Sequence, residues 1–136
     1  MSTLKLTRRH DWPERLIAFI ESRRFTSFAW GSNDCALFSA DAVLEMTGAD
    51  FAADLRGYKT QRGALSRIKK AGGMQAFASN LEQKKTGFAG RGDIVLVVLN
   101  GRDTFGVVSG SGHWCAPGAQ GLLFRPMSEV TLAFGI

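Results

Sequence analysis

Apolar residues recur at helical spacing near the start of the chain. An apolar stripe over residues 16–20 follows Asp11 and Pro13. Asp11 is a good cap for free backbone N–H groups, and proline is tolerated in a first helical turn because its missing N–H would have no partner there. The cations Arg23 and Arg24 suit the negative end of a helix dipole. The pattern therefore predicts a first helix that ends at these two arginines.

Three further helical segments follow. Residues 32–34 are all capping types, and the apolar positions among residues 36–44 keep helical spacing up to Gly48. We expect this second helix to be the most buried one. Residues 61–70 form an amphipathic pattern that ends at a glycine pair, and residues 74–81 add a further turn or two.

After Gly92 the pattern changes to short β-rich runs separated by turn signals such as Asn100-Gly101. The predicted strands are residues 93–99, 104–109, 113–116, 121–124 and 130–134. Helices followed by an antiparallel meander indicate an α+β fold, with N-terminal helices packed on one face of a small antiparallel β-sheet. The length of 136 residues, with no internal repeat or linker, predicts a single domain over residues 1–136.

Charge changes this picture little. The net charge is +5 and the pI is about 9.7, but the basic residues lie in short pairs such as Lys84-Lys85 and form neither a long run nor a nucleic-acid motif. We interpret them as solvated helix faces, with a basic nucleic-acid-binding module as an alternative. Nucleic acid is therefore the less favoured partner, while a basic surface would suit docking against an acidic protein.

Targeting and cofactor signals are also sparse. Residues 1–10 lack the apolar core of a signal peptide, and no apolar run approaches the ~20 residues of a membrane span, so we expect synthesis in the cytoplasm of the host cell. The two cysteines, Cys35 and Cys115, have no metal-ligand spacing, and we expect neither a metal nor a cofactor. A disulfide between them is the less favoured expectation for a protein made in the cytoplasm.

One cysteine stands in a position with chemical potential. The segment Trp30-Gly31-Ser32-Asn33-Asp34-Cys35-Ala36-Leu37-Phe38 puts Cys35 in the first turn of the second helix, directly after a capping cluster. A helix N-terminus stabilises a thiolate because it carries partial positive charge and free N–H donors. The alternative is a small apolar side chain that simply packs, as free cysteines often do.

The order of motifs around this cysteine resembles the NlpC-like peptidases. The W-G-x-x-D-C-x-x-F segment at residues 30–38, Gly92-Asp93 before an apolar strand, and the short strand at residues 105–108 all match in order and character. These peptidases are papain-like hydrolases that cut peptide bonds in bacterial cell walls. The resemblance implies a papain-like NlpC-type domain, with helices packed on a small sheet or half-barrel and Cys35 at the nucleophile position.

A second resemblance is closer. A family of small proteins encoded among the tail genes of tailed phages and prophages shares W-G-x-x-D-C-A-L-F and further motifs downstream. Those motifs are Thr47-Gly48-Ala49-Asp50, Gly57-Tyr58, Gly72-Gly73 and Ala116-Pro117-Gly118 followed by Gly121-Leu122. This resemblance implies a virion protein of the tail, with other phage tail proteins as its partners.

The chain departs from the peptidases at the catalytic base. Their histidine begins the second strand in H-V-G-[IV], and the matching position here is Thr104, while the third catalytic group falls near Ala116. Neither residue can accept a proton from a thiol at neutral pH or orient an imidazole. A general base contributes ~10²–10⁴-fold to the rate, so the match implies the fold without the usual chemistry. We expect Trp30, Asp34, Thr104 and Ala116 to line the cleft around Cys35, with Asp34 capping the helix and Trp30 packed over its start.

The chain has two histidines, His10 and His113. Strand alternation puts His113 and Cys115 on one face, opposite Ala116, unless a bulge at residues 110–112 reverses this. We favour a structural or solvated His113 and keep a catalytic base as the alternative. His10, just ahead of the first helix, is expected at the surface.

Three hypotheses follow. The preferred one is a structural or assembly component of a phage tail, in the tail tip or baseplate region, built on a degenerate peptidase domain. The second is an active cell-wall peptidase with Cys35 as nucleophile and His113 as base, for which peptidoglycan would be the substrate. The third is a basic nucleic-acid-binding module, whose affinity would fall steeply with salt.

Overall fold

The computed structural model describes residues 6–136 and contains four α-helices followed by a sheet. The helices are α1 (Trp12–Arg23), α2 (Cys35–Thr47), α3 (Gln61–Ala71) and α4 (Met74–Phe77). The strands are β1 (Glu82–Lys84), β2 (Ile94–Leu99), β3 (Arg102–Gly110), β4 (His113–Gly118), β5 (Gly121–Pro126) and β6 (Val130–Gly135). The predicted α+β class is confirmed.

The six strands form one antiparallel sheet in the order β1-β6-β2-β3-β4-β5. The predicted meander holds for β2 to β5, but β6 returns to pair with β2, with Ile94 opposite Phe134. Strand β1 then pairs with β6 and was not predicted, because its three residues are exposed or half-buried and carry no apolar alternation. The first and the last strand in the sequence, β1 and β6, therefore lie next to each other at one edge of the sheet.

The sheet has two different faces. One face packs with α2 and α1 and carries Ile94, Leu96, Phe105, Val107, Cys115 and Phe134. The other face carries Val95, Val97, Val108, Trp114, Ala116 and Ala133. Helix α2 buries eight of its thirteen residues, more than any other helix of the described chain, as its apolar pattern predicts. The core thus lies between α2 and the middle strands.

The start of α1 differs in one detail from the expectation. Asp11 precedes the helix, but its side chain caps no backbone N–H and instead accepts a hydrogen bond from Arg15 Nε at 2.9 Å. At the end of the helix, the Arg23 guanidinium donates hydrogen bonds to the Asp41 carboxylate and to the side-chain oxygen of Asn33, at 2.8 Å each. These contacts fix α1 against the start of α2.

A buried carboxylate joins the two ends of the sheet region. Asp93 is 2% exposed, and its Oδ1 accepts from Arg8 at 2.9 Å and from the Ile136 N–H at 3.1 Å. Its Oδ2 accepts from Lys84 Nζ and the Gly90 N–H, both at 2.8 Å. Lys84 is therefore a partner of a buried charge, and the interpretation of the lysine pair at residues 84–85 as purely solvated is wrong for this residue.

Candidate active-site pocket

Asp34 sets the position of Cys35 at the start of α2. Its backbone is extended, and its Oδ1 accepts a hydrogen bond from the Leu37 N–H at 3.0 Å, which is the N-cap predicted from the sequence. Its Oδ2 accepts from the Gly31 N–H at 3.0 Å and from the Tyr58 hydroxyl. One carboxylate therefore holds the helix start, the preceding turn and a tyrosine from a later segment together.

Cys35 as a residue is partly exposed, but its thiol is shielded from water and stays protonated at neutral pH. Its pKa is raised to about 11, mainly by burial and to a smaller extent by the nearby Asp34 charge. Hydrogen bonds from the backbone of Phe105 and of Ala36 favour the thiolate, as does a helix N-terminus in general, but they are weaker than desolvation here. At neutral pH the sulfur is therefore a thiol and a poor nucleophile.

A pocket of about 350 Å³ opens beside Cys35. Most of its wall is apolar and comes from Trp30, Ala36, Ala64, Leu65, Ile68 and Met74. Its polar residues include Tyr58, Gln61, Arg102 and Asp103. The Gln61 amide, with its oxygen turned toward Arg102, accepts from both terminal guanidinium nitrogens at 3.1 and 3.0 Å. This contact connects α3 with the start of β3 across the pocket.

The structure does not bring His113 to the cysteine. His113 is exposed and pairs with Gly110 across a bulge in the β3–β4 register, and its Nδ1 lies 2.9 Å from the Ser111 carbonyl oxygen. The thiol, in contrast, contacts the backbone of Phe105. Phe105 and Gly110 are five positions apart along β3, which is about 16 Å of strand. His10 is exposed ahead of α1.

Two residues expected to line the cleft lie on the other side of the sheet. Ala116 is buried with Trp114 in the cluster on the face away from α2, and it is not part of the pocket wall. Thr104 pairs with Val97 of that same cluster, and its hydroxyl donates to the Arg102 carbonyl oxygen at 3.2 Å. Strand alternation explains both placements, because their neighbours along the strands face α2.

The comparisons with known proteins agree with this architecture. Residues 7–136 match the model of a family described as a domain of unknown function, DUF6950. The chain belongs to this family. No curated protein matches it.

Among solved structures, the crystal structure of the NlpC/p60 domain of peptidoglycan hydrolase SagA has a TM-score of 0.61 to this DUF6950 chain. The two are 16% identical, and the likeness covers 90% of this chain and 97% of that one. At such identity the likeness establishes the fold. The predicted papain-like, NlpC-type arrangement is thereby confirmed.

Three pocket residues of the DUF6950 chain were not predicted as such. Asp103 is two residues before Phe105, so strand alternation puts its side chain on the face of the sheet that packs with α2. Thr104, the position aligned with the peptidase histidine, faces the other way. Tyr58 was noted in the sequence only as part of a Gly57-Tyr58 motif, and Arg102 carried no signal. Gly31 packs directly against the backbone of Tyr58, because a Cβ at Gly31 would come 2.1 Å from the Tyr58 carbonyl oxygen. This contact connects the Trp30-Gly31 motif with the Gly57-Tyr58 motif.

The structure also bears on cofactors, disulfides and membranes. Within residues 6–136, no group of three or more His, Cys, Asp or Glu side chains is arranged to hold a metal ion. Cys35 and Cys115 are both free thiols. None of the helices in the described part of the chain has the length and apolar character needed to cross a bilayer.

Proposed function

We propose that the chain is a structural or assembly component of a tailed-phage tail, built on a papain-like domain that does not hydrolyse peptide bonds. It would be made in the host cytoplasm and carried in the virion among other tail proteins. The observation that carries the loss of catalysis is the state of Cys35. Burial raises the pKa of its thiol to about 11, and His113, the alternative base, pairs with Gly110, about 16 Å of strand from the Phe105 backbone that the thiol contacts.

A cysteine peptidase needs the opposite arrangement. An adjacent imidazole accepts the thiol proton and then holds the sulfur charged as one half of an ion pair. Here the charge that acts on the thiol is the Asp34 carboxylate, which raises the pKa of Cys35. Burial of Tyr58, its hydrogen bond to Asp34 and the charge of that carboxylate all raise the Tyr58 pKa, so the tyrosine hydroxyl stays a donor. This environment opposes a thiolate.

The tail assignment rests on the resemblance of the sequence motifs to the tail-gene family. The motifs that the chain shares with the tail-gene family include residues that hold the fold together, among them the Gly31 contact with Tyr58 and the Asp34 cap. A domain that keeps the scaffold of a peptidase while its nucleophile stays protonated is suited to binding other proteins. Function in such a domain depends on its surface rather than on a reaction centre.

An active cell-wall peptidase is the second candidate, and one observation favours it. Cys35 is the first residue of α2 and lines an open pocket, which is where a nucleophile of this fold would meet a substrate. Iodoacetamide alkylation of a Cys115→Ala protein separates the two candidates, because Cys35 is then the single thiol. We expect alkylation at about pH 6 to be slower than that of a free cysteine, and rapid alkylation there would favour the peptidase.

The biological test compares phage that carry wild-type protein with phage that carry Cys35→Ser. We expect the variant protein to fold, to copurify with tail particles and to give normal yields, since it removes no reacting group. Purified peptidoglycan incubated with the wild-type protein should release no peptide fragments. A folded Cys35→Ser protein that abolishes infectivity, or absence of the wild-type protein from tails and assembly intermediates, would contradict the proposal.

A further inference from the structure

The excess positive charge of the chain is concentrated in one segment. The sequence has seventeen basic and twelve acidic residues, a net charge of +5. Five of the basic residues lie within residues 59–72, which contain no Asp or Glu. Charges elsewhere in the chain therefore balance, and the excess belongs to α3 and its immediate flanks.

This basic helix is also one wall of the pocket beside Cys35. Its lining positions are Gln61, Ala64, Leu65 and Ile68, the three- and four-residue spacing of a single helix face. Ala64 is buried, but Leu65 is 53% exposed at the pocket wall. Covering an exposed leucine in an apolar concavity removes apolar surface from water, which is favourable for binding.

Basic side chains flank that leucine. Arg62 and Lys69 stand three residues before and four residues after Leu65, so both are its neighbours on the helix surface, and both are exposed. Arg102 lies on the opposite side of the pocket, from the start of β3. A group entering the pocket therefore passes between cations on two sides, and the acidic residues of the wall are Asp103 and the buried Asp34.

We propose that α3 and this pocket form the docking surface for an acidic segment of a partner protein that inserts one large apolar side chain. This inference rests on the proposed function and specifies the chemistry of the partner protein. The pocket volume is at the lower end of the ~300–1,000 Å³ usual for binding pockets, which suits one side chain better than a long stretch of chain. Carboxylates beside that side chain would meet Arg62 and Lys69.

The pocket favours a protein partner over nucleic acid. Phosphates would neutralise the cations of α3, but a phosphate backbone offers no apolar group for a wall made of Leu65, Ile68 and Met74. An acidic segment with a large apolar residue satisfies both features. Its apolar anchor would supply most of the affinity, and its charges would supply orientation and a faster association rate.

The test is selection from a random-sequence displayed peptide library on the immobilised full chain. We expect enriched peptides to carry a large apolar residue flanked by Asp or Glu. The best peptide, made synthetically, should bind Leu65→Glu at least about tenfold more weakly, and Lys69→Glu about three- to tenfold more weakly. Lys85→Glu is the matched control: it makes the same charge change at an exposed residue outside the pocket wall and should alter affinity less than about twofold.

Each other outcome overturns the proposal. Those outcomes are no enrichment, enrichment without acidic residues, or peptides that bind Leu65→Glu normally. Duplex DNA that binds the wild-type chain, loses affinity for Lys69→Glu and ignores Leu65→Glu would identify a nucleic-acid surface instead. The proposed function fails separately: cleavage of the selected peptide would show a peptidase, whereas failed selection with normal copurification in tails would refute this docking surface alone.

Discussion

At the scale of single residues, Asp34 organises the candidate site. Its carboxylate is 2% exposed, and its hydrogen-bond donors are the Gly31 and Leu37 N–H groups and the Tyr58 hydroxyl. A carboxylate this buried is stable only when its oxygens have donors. The tyrosine is therefore as much a part of the helix start as the cap itself, although it lies in a different segment of the chain.

Replacing Tyr58 by Phe tests this contact, because the ring stays and one donor to Asp34 is lost. A hydrogen bond to a charged group contributes about 1.5–3 kcal/mol, so we expect the free energy of unfolding to fall by that amount. Urea denaturation with an unchanged m-value measures it. In an Asp34→Asn background the same change should cost less, and an equal cost in both backgrounds would mean that the lost bond is not the cause.

At the scale of elements, the Asp93 cluster holds together strands that are distant in sequence. Asp93 lies just before β2, Lys84 ends β1, and Ile136 follows β6. Arg8 also donates to the Ile136 carbonyl oxygen at 2.8 Å and stacks over Trp12, 4.1 Å from its ring centre. The edge strand β1 is only three residues long, so this ion pair supplies part of its attachment.

The neighbours Lys84 and Lys85 give a matched pair of variants. Lys84→Glu would set a second carboxylate beside buried Asp93, and we expect a loss of about 1–3 kcal/mol, discounted because Lys84 is one-third exposed and Arg8 remains as a partner. Lys85 is exposed, and Lys85→Glu should stay within about 0.5 kcal/mol of wild type. Thermal or urea unfolding of both proteins measures the difference. Equal effects would contradict the role given to Lys84.

At the scale of the whole molecule, both thiols lie on the α2 side of the sheet, and burial protects both from ionisation. Burial raises the pKa of Cys35 to about 11 and that of Cys115 to about 12. An unfolded cysteine loses its proton near pH ~8.5. Above that pH the folded state binds more protons than the unfolded state, so folding stability falls as pH rises.

We therefore expect an alkaline loss of stability that begins above about pH 8.5 and amounts to at most about 1.4 kcal/mol per pH unit for each thiol. Urea midpoints at about pH 8 and pH 10 measure it. Other groups also titrate in this range, so the control is the Cys35→Ser, Cys115→Ala double variant, which should show a shallower dependence. An equally steep dependence in that variant would exclude the thiols as its source.

Features that depend on near neighbours in the chain were predictable from the sequence. The capping residue Asp34 and the apolar spacing after it placed Cys35 at the start of the most buried helix, as observed. The apolar run before Asn100-Gly101 predicted β2 and its hairpin with β3. Capping, helical spacing and tight turns act over a few residues, so a sequence contains nearly all the information that they need.

Other features depended on which distant segments meet. The β6–β2 pairing and the face of the sheet that Thr104 and Ala116 occupy depend on long-range register, which local patterns do not specify. The pocket combines α2, α3 and β3, and its residues Tyr58 and Arg102 carry no local sign of their role. The state of Cys35 is decided in the same way. The sequence alone predicted a helix N-terminus that favours the thiolate, but the folded surroundings remove water from the sulfur, and that desolvation outweighs the helix dipole.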